Sequence, residues 1–584
     1  MVENVCLNSS CAYRGARTCA RIRQLTGLVL FLLCWPLPGI TAGATPGAAA
    51  VATAHPLATA AARATLRAGG NAFDAAVSIA AALAVVEPAS SGLGGGGFWL
   101  LHRARDGIDV MIDARERAPL AAHADMYLDN DANPLPRLSL DGPLAAAIPG
   151  TPAALAHMAR RYGRLPLSQT LAPAIRLART GFAVTPRYRR LARLRLKALR
   201  ASPAAAEVFL RDGVAPHEGF VVRQSDLAVV LERIVRQGRA GFYAGETAKE
   251  LVGGVRAAGG IWRLEDLSAY HVVERAPVTG RYGRLRITSA SLPSSGGIVL
   301  LQMLNILADY DLPSQPRTSR DHLLIESMRR AYRDRARFLG DSDFVSVDVR
   351  GLLSQEHAVQ LRAGINPRAA SASDTLPGAV PSSRGTNTTH FSVIDRQGNR
   401  VAATLTVNYA FGSGFVPPGT GVLLNNEMDD FVLKPGVPNL YGLVGNKANA
   451  IAPGKRPLSS MTPTFLESPD AVVILGTPGG SRIITMVLLA TLEVARGRGG
   501  TQDWVALPRF HHQYLPDVVQ FEPGAFHQAE IDALRRLGHR LKCRKRAYGN
   551  MQIVAWDKQT NRLDAASDPR GEGAVWIERR REAP

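Results

Sequence analysis

Across residues 365–387 the hydrophobic pattern of the chain changes period. The stretch itself, INPRAASASDTLPGAVPSSRGTN, has no period and is rich in Pro, Ser, Ala and Gly, the composition of a loop or linker. Before it, apolar residues recur at helical spacing. Examples are LAPAIRLA (171–178), DLAVVLERIVRQG (226–238), ETAKELVGGVRAAGG (246–260), IVLLQMLNILADY (298–310) and HLLIESMRRAYRDRARFLG (322–340). Residues 52–86 are Ala-rich and read as helix broken at GGN (69–71), ending at Glu87-Pro88. After the linker, strands predominate, as in HFSVID and RVAATLTV. At 584 residues and 46% hydrophobic content, the chain is expected to form a large layered α/β body or about two to four domains. It has no internal repeat.

Residues 1–44 read differently from the rest. Arg14, Arg17, Arg21 and Arg23 precede the apolar run LTGLVLFLLCW, Pro36 and Pro38 break it, and small residues follow at TAGA. This is the layout of a cleaved export signal, and the run is short for a bilayer span, so a periplasmic or secreted location is expected. Cys6, Cys11, Cys19 and Cys34 all fall here, which leaves Cys543 alone in the mature chain without an internal disulfide partner. Net charge is +20, of which the leader supplies only +3. The densest basic stretch, RYRRLARLRLKALR (187–200), puts Leu191, Leu194 and Ala198 on one stripe. It reads as a solvated amphipathic helix and not as a nucleic-acid or membrane patch.

GLGGGG (92–97) matches the spacing of a dinucleotide fingerprint, but the order here is helix, glycines, strand, the reverse of what a pyrophosphate needs. The glycines mark backbone approaching something closely. The hairpin after the linker is more informative. Folding HFSVID-RQGN-RVAATLTV about residues 396–399 pairs Asp395 with Arg400 and sets Thr389 opposite Thr406 and Thr388 opposite Val407. A one-residue bulge would set Thr388 opposite Thr406 instead. In both registers the Thr406 hydroxyl neighbours the Thr388-Thr389 pair, with Asn408 just beyond. The pair admits two readings: β-branched residues filling a strand, or a nucleophile. A threonine hydroxyl needs a base, and no G-x-S-x-G elbow or His/Asp triad spacing supplies one. The α-amine of a threonine heading a chain can serve, provided the preceding peptide bond is cut, and an unpatterned linker is where such a cut fits.

From residue 50 to 580 the chain resembles γ-glutamyltranspeptidases (γ-glutamyltransferases). The resemblance rests on HPLATAAA, GGNAFDAAVS, VVEPASSGLGGGGF, DARERAPLAA, GFYAGETA, LPSSGG, LGDSDF, NTTHFSVID, LLNNEMDDF, KRPLSSMTPT and GTPGGSRIIT, in order. It implies a four-layer αββα sandwich of the N-terminal-nucleophile hydrolase type. It further implies self-cleavage between Asn387 and Thr388 into a large subunit (45–387) and a small subunit (388–584) that stay together. By the same resemblance Thr388 is the nucleophile and Thr406 holds its hydroxyl, while backbone N–H groups of Gly479 and Gly480 form the oxyanion hole. Arg115, Ser459 and Ser460 bind the substrate α-carboxylate, for which a guanidinium fork is suited. Asn408, Glu427 and Asp430 bind the α-ammonium, and Tyr441, in KPGVPNLYGLVGN (434–446), gates the pocket. Ala153, Ala154 and Phe73 depart from the family pattern as packing changes. The implied substrates are glutathione and other γ-glutamyl compounds, with water, amino acids or peptides as acceptors. No cofactor, metal, nucleic acid or, after signal removal, membrane is implied. The rival readings are a cephalosporin (glutaryl) acylase of the same superfamily and an inactive homologue that binds surfaces through its basic face.

Overall fold

The computed structural model describes residues 45–135, 137–373 and 388–579. The leader, and Asn387 with the rest of 374–387, lie outside the described residues. The principal elements before the linker are β1 (Ala50–Thr53), α1 (Pro56–Arg67), α2 (Ala72–Val86), β2 (Gly96–Arg103), β3 (Ile108–Ala114), α3 (Ala172–Thr180), α4 (Ser225–Gln237), β4 (Val273–Arg275), β5 (Val278–Tyr282), β6 (Leu285–Ser289), α5 (Gly296–Leu307) and α6 (Arg317–Phe338). After it come β7 (Thr389–Ile394), β8 (Arg400–Thr406), β9 (Thr464–Glu467), β10 (Ala471–Gly476), α7 (Ile483–Ala495), β11 (Gln552–Asp557), β12 (Arg562–Ser567) and β13 (Ala574–Ile577).

The strands form two antiparallel sheets, ordered β13-β1-β7-β8-β2-β3-β4 and β12-β11-β10-β9-β6-β5. Alternation along each strand divides its side chains between two cores. Trp99, Leu101, Val401, Ala403 and Leu405 face the helices α1 to α4. Leu100, Ala402 and Ile394 face the second sheet, where Phe465, Val472, Ile474 and Val554 meet them. The other face of the second sheet, with Leu466, Val473 and Leu475, packs on α5, α6 and α7. The result is four layers, helix–sheet–sheet–helix, as expected. Helix α2 is buried on every side, and its alanines allow close approach to the sheet. It begins in a capping box, Asn71 accepting from Asp74 N–H while the Asp74 carboxylate accepts from Asn71 N–H.

Three local expectations are corrected. Ala52 and Thr53, read as the start of helix, instead end the strand Ala50–Thr53, because β1 gains ladder partners on both sides, β7 and β13. The basic stretch is two helices, Pro186–Leu194 and Leu196–Ala201, broken at Arg195. That guanidinium turns inward, donating to the carbonyls of Ala410 and Gly412 and pairing with Asp141, so Leu194 is left exposed. Finally, the hairpin takes the register in which Ile394 faces Arg400 and Thr389 faces Leu405, which sets Thr388 opposite Thr406. Asp395 is not a strand residue. Its carboxylate accepts from the N–H groups of Gln397 and Asn399 and from Ala72 N–H, making it the organiser of the turn. Among the described residues no helix is long and apolar enough to cross a membrane.

Candidate active site

Thr388 immediately precedes β7 and Thr406 ends β8, so both side chains lie on the inter-sheet face at one end of the sandwich. Their Oγ1 atoms are 3.4 Å apart. Asn408 N–H donates to Thr406 Oγ1 at 2.8 Å, occupying a lone pair and directing the Thr406 proton elsewhere. Thr389, one residue on, belongs to the face turned toward the helices. The glycine-rich stretch lies directly behind. Gly96 pairs with Thr406 across β2 and β8, and a Cβ at Gly95 would overlap the Thr406 carbonyl. The close approach expected of these glycines is, at Gly95 and Gly97, to the strand that carries Thr406, and at Gly94 to the Leu423 carbonyl.

Arg115, one residue past β3, is fully buried. Its Nε donates to the Pro457 carbonyl at 3.0 Å, Nη1 pairs with Glu427, and Nη2 donates to Asp430 Oδ2 at 2.6 Å. Glu116 adds a third carboxylate, 3.4 Å from Nη1. One guanidinium therefore faces three carboxylates, those of Glu116 and Glu427 buried and that of Asp430 partly exposed. Burial pushes Glu427 well above its ordinary value and Glu116 up to about 7, against the pull of Arg115. The cationic group expected at the α-carboxylate and the anionic groups expected at the α-ammonium form one cluster, already paired with each other. Asn408, at φ +70°, donates through Nδ2 to the Asn426 carbonyl beside it.

The serines lie on the far side of Arg115. Met461 N–H donates to Ser459 Oγ at 3.1 Å, and Arg335 Nη2 donates to Ser460 Oγ at 3.2 Å. Gly480 has a φ of +59°, left-handed backbone that favours glycine, at the start of the turn leading into α7. A Cβ there would overlap the Tyr441 ring. Tyr441 is held over the site by its own OH, which donates to the Asn408 carbonyl at 2.6 Å, and by Gln513 Nε2 at its carbonyl, 3.1 Å away. The rest of this loop is pinned by Leu440 N–H on Asp429 Oδ2 (2.9 Å) and Asn439 Nδ2 on Asp430 Oδ1 (3.2 Å).

Arg115, Thr388, Thr406, Asn408, Glu427, Asp430, Tyr441, Ser459, Ser460 and Gly480 line one cavity. Gly479 stands one residue behind and does not line it, and Asn387 lies outside the described residues. The cavity volume is about 20 Å³, room for roughly one water and no more. Sequence reading missed Arg335 and Glu116. Glu116 was adjacent to a named residue. Arg335 gave no signal, sitting among many charges in a stretch whose spacing showed only a helix. Elsewhere, His322, Glu326 and His539 come within 4.8 Å of one another, a grouping that spacing alone does not show. Its donors are already engaged: Glu326 by Arg329, Arg330 and Ser371, and the two imidazoles by each other at 2.8 Å.

A family model described as Gamma-glutamyltranspeptidase matches residues 58–577. The chain is 40% identical over 510 residues to the glutathione hydrolase proenzyme of Escherichia coli, covering 86% of this chain and 87% of that one. It is 43% identical over 464 residues to the glutathione hydrolase proenzyme of a Pseudomonas species (79% and 80% covered). Among solved structures, the cephalosporin acylase of Bacillus halodurans superposes with a TM-score of 0.79 at 29% identity, covering 94% of this chain and 99% of that chain. Helicobacter pylori gamma-glutamyltranspeptidase superposes with a TM-score of 0.53 at 40% identity (54% and 91%).

Proposed function

Because the chain belongs to the γ-glutamyltranspeptidase family, we propose that it is a self-processing γ-glutamyl hydrolase and transferase acting on glutathione and related γ-glutamyl compounds. The observation that carries this reading is the crowding of carboxylates at Arg115. Glu116, Glu427 and Asp430 share one guanidinium, burial raises Glu116 and Glu427 toward their protonated forms, and a γ-glutamyl donor brings, as its α-ammonium, a second cation that favours their ionised forms. A glutaryl side chain lacks that ammonium, which disfavours the acylase reading despite the shared fold.

In processing, Thr388 Oγ attacks the Asn387 carbonyl, the C–N bond breaks, and the acyl group moves to oxygen while the Thr388 nitrogen becomes an amine. Water then hydrolyses the ester, leaving an Asn387 carboxylate and a free Thr388 N-terminus. In turnover that amine takes the Thr388 hydroxyl proton as Oγ attacks the γ-amide carbonyl. Backbone N–H groups of Gly479 and Gly480 receive the developing oxyanion. The amine passes the proton to the departing nitrogen. Water or an acceptor amine then opens the γ-glutamyl ester. Asn408, Glu427 and Asp430 hold the ammonium, with the last two exchanging Arg115 for it. Arg115, Ser459 and Ser460 hold the α-carboxylate. Residues 45–387 and 388–584 are the two subunits, and the basic-apolar-small leader supports export before or during maturation. Tyr441 must withdraw for a donor to enter the small cavity.

Wild type and Thr388→Ala, purified in parallel, test this. Wild type is expected to run as two bands on a denaturing gel and to turn over a γ-glutamyl anilide. Thr388→Ala is expected to remain one band without turnover. A wild type that stays uncleaved and inert sinks the reading, and turnover of a glutaryl but not a γ-glutamyl anilide would establish the acylase.

A further inference from the structure

The serines of the carboxylate subsite are backed by a second buried guanidinium. Arg335, on α6, donates from Nε to Ser295 Oγ at 2.9 Å and from Nη2 to Ser460 Oγ at 3.2 Å. Ser295 Oγ in turn donates to the Ser459 carbonyl at 2.6 Å, and Ser295 N–H donates to the same carbonyl at 2.9 Å. Arg335 also lines the cavity. It differs from Arg115 in one respect that matters for an anion. Arg115 is already engaged by Glu427 and Asp430, whereas Arg335 has no carboxylate at ion-pair distance among the described residues. Burial pulls Arg335 down to about 10, opposed by Tyr332 and Asp430 and reinforced by Arg115, so it remains charged at neutral pH.

We propose that Arg335 is a positioning residue of the α-carboxylate subsite, acting through Ser460 and, by way of Ser295, through the backbone of Ser459. A hydroxyl that accepts from a guanidinium cannot spend the same lone pair on another donor, and its single proton is turned away from the arginine. For Ser460 that direction is the cavity, where the proton meets an anionic acceptor. Ser459 is biased the same way, because Met461 N–H occupies its oxygen. Both serines are thereby set as donors before a substrate arrives, and the net positive charge behind them favours a carboxylate over a neutral amide in the same place. The inference rests on the γ-glutamyl reading and adds to it the group that enforces carboxylate specificity. Arg335 need not touch the substrate.

The test compares processed wild type, Arg335→Gln and Arg335→Lys with a γ-glutamyl anilide, using L-glutamate and its α-carboxamide as competitive inhibitors. In Arg335→Gln the KM is expected to rise about tenfold with kcat changed less than about threefold, and the preference for glutamate over its α-carboxamide to shrink by about the same tenfold. Arg335→Lys is expected to recover part of that preference. A processed Arg335→Gln enzyme with unchanged preference, or with both inhibitors weakened equally, overturns the proposal. If neither arginine variant matures, Ser295→Ala carries the test, since it removes the anchor of the guanidinium and its hydroxyl link to the Ser459 carbonyl while leaving Arg335 in place. An unchanged preference there overturns it as well. Wild type that does not turn over the anilide would defeat the functional reading and this subsite together. Wild-type turnover with indifferent variants defeats the subsite alone.

Discussion

Thr406 is oriented in part by the backbone. The N–H of Asn408, at a left-handed φ of +70°, occupies one lone pair of Thr406 Oγ1, and its proton can then serve Thr388 Oγ1 at 3.4 Å. Thr406→Val keeps the shape and removes that donor. It is expected to lower kcat about 10²-fold with KM within about threefold, while Thr406→Ser recovers most of the loss. Steady-state kinetics on a γ-glutamyl anilide checks this, and an unchanged kcat in Thr406→Val would remove Thr406 from the mechanism. Much of this level was legible in the sequence. Alternation and the turn RQGN placed Thr406 beside the threonine pair without any structure. The register itself was not legible, because alternation cannot show that Asp395 caps a turn with its carboxylate. Nor could the charge at Arg115 be read correctly, since residues far apart in the chain reveal their sign but not that they are already paired.

Among the elements, the loop 434–446 and the turn at Gly480 constrain each other. Gly480 has no Cβ to meet the Tyr441 ring, and its φ of +59° would strain any side-chain-bearing residue. Gly480→Ala is expected to cost about 1–3 kcal/mol of stability and most of the activity. Adding Tyr441→Ala should return part of the stability, because the overlap is relieved, but not the activity, because the strain at Gly480, the proposed oxyanion donor, persists. Calorimetry and kinetics on the single and double variants check this, and fully additive losses would mean that the two do not touch. Helix α6 shows why Arg335 escaped sequence reading. His322, Glu326, Arg329, Arg330, Asp334 and Arg335 are all buried in it, and six charged or polar residues in so short a span imitate a solvated face. The same illusion ran the other way at Leu194, placed on an apolar stripe until Arg195 broke the helix.

At the scale of the molecule, each sheet mixes strands from both sides of residue 387. β7, β8 and β13 alternate with β1, β2 and β3 in the first, and β9 to β12 extend β6 and β5 in the second. A further tie runs through α6. Arg329 pairs with Asp517, Asp517 accepts from Ser373 N–H at 2.9 Å, and His322 meets His539. Burial alone would raise Glu326, but Arg329, Ser371 and Arg330 outweigh it and hold it at about 2, against an ordinary 4.5. A depressed carboxylate contributes stability that is fully present above 4.5 and is lost as pH falls through about 2. Asp517, held down by His512 and Arg329 against its burial, acts in the same direction. Of the two, only Asp517 pairs across residue 387, with Arg329, so the mature protein is expected to sediment as one particle at pH 6 and to come apart as pH falls below the ordinary 3.8 of that carboxylate. Arg329→Met should move that transition to higher pH. A transition unmoved by Arg329→Met would exclude this cluster as its cause.

The interleaving of strands also divides the protein's history in two. Before the cut, refolding from denaturant is a unimolecular event, as fast in dilute solution as in concentrated. With the cut at the proposed Asn387–Thr388 bond, neither fragment contains a whole sheet, and recovery requires an encounter between two chains, each presenting unpaired strand edges to any other partner. Refolding yield should be independent of concentration for Thr388→Ala and fall on dilution for the mature enzyme. Each molecule then assembles its framework once, and its durability is governed by how slowly it unfolds and not by how readily it could refold.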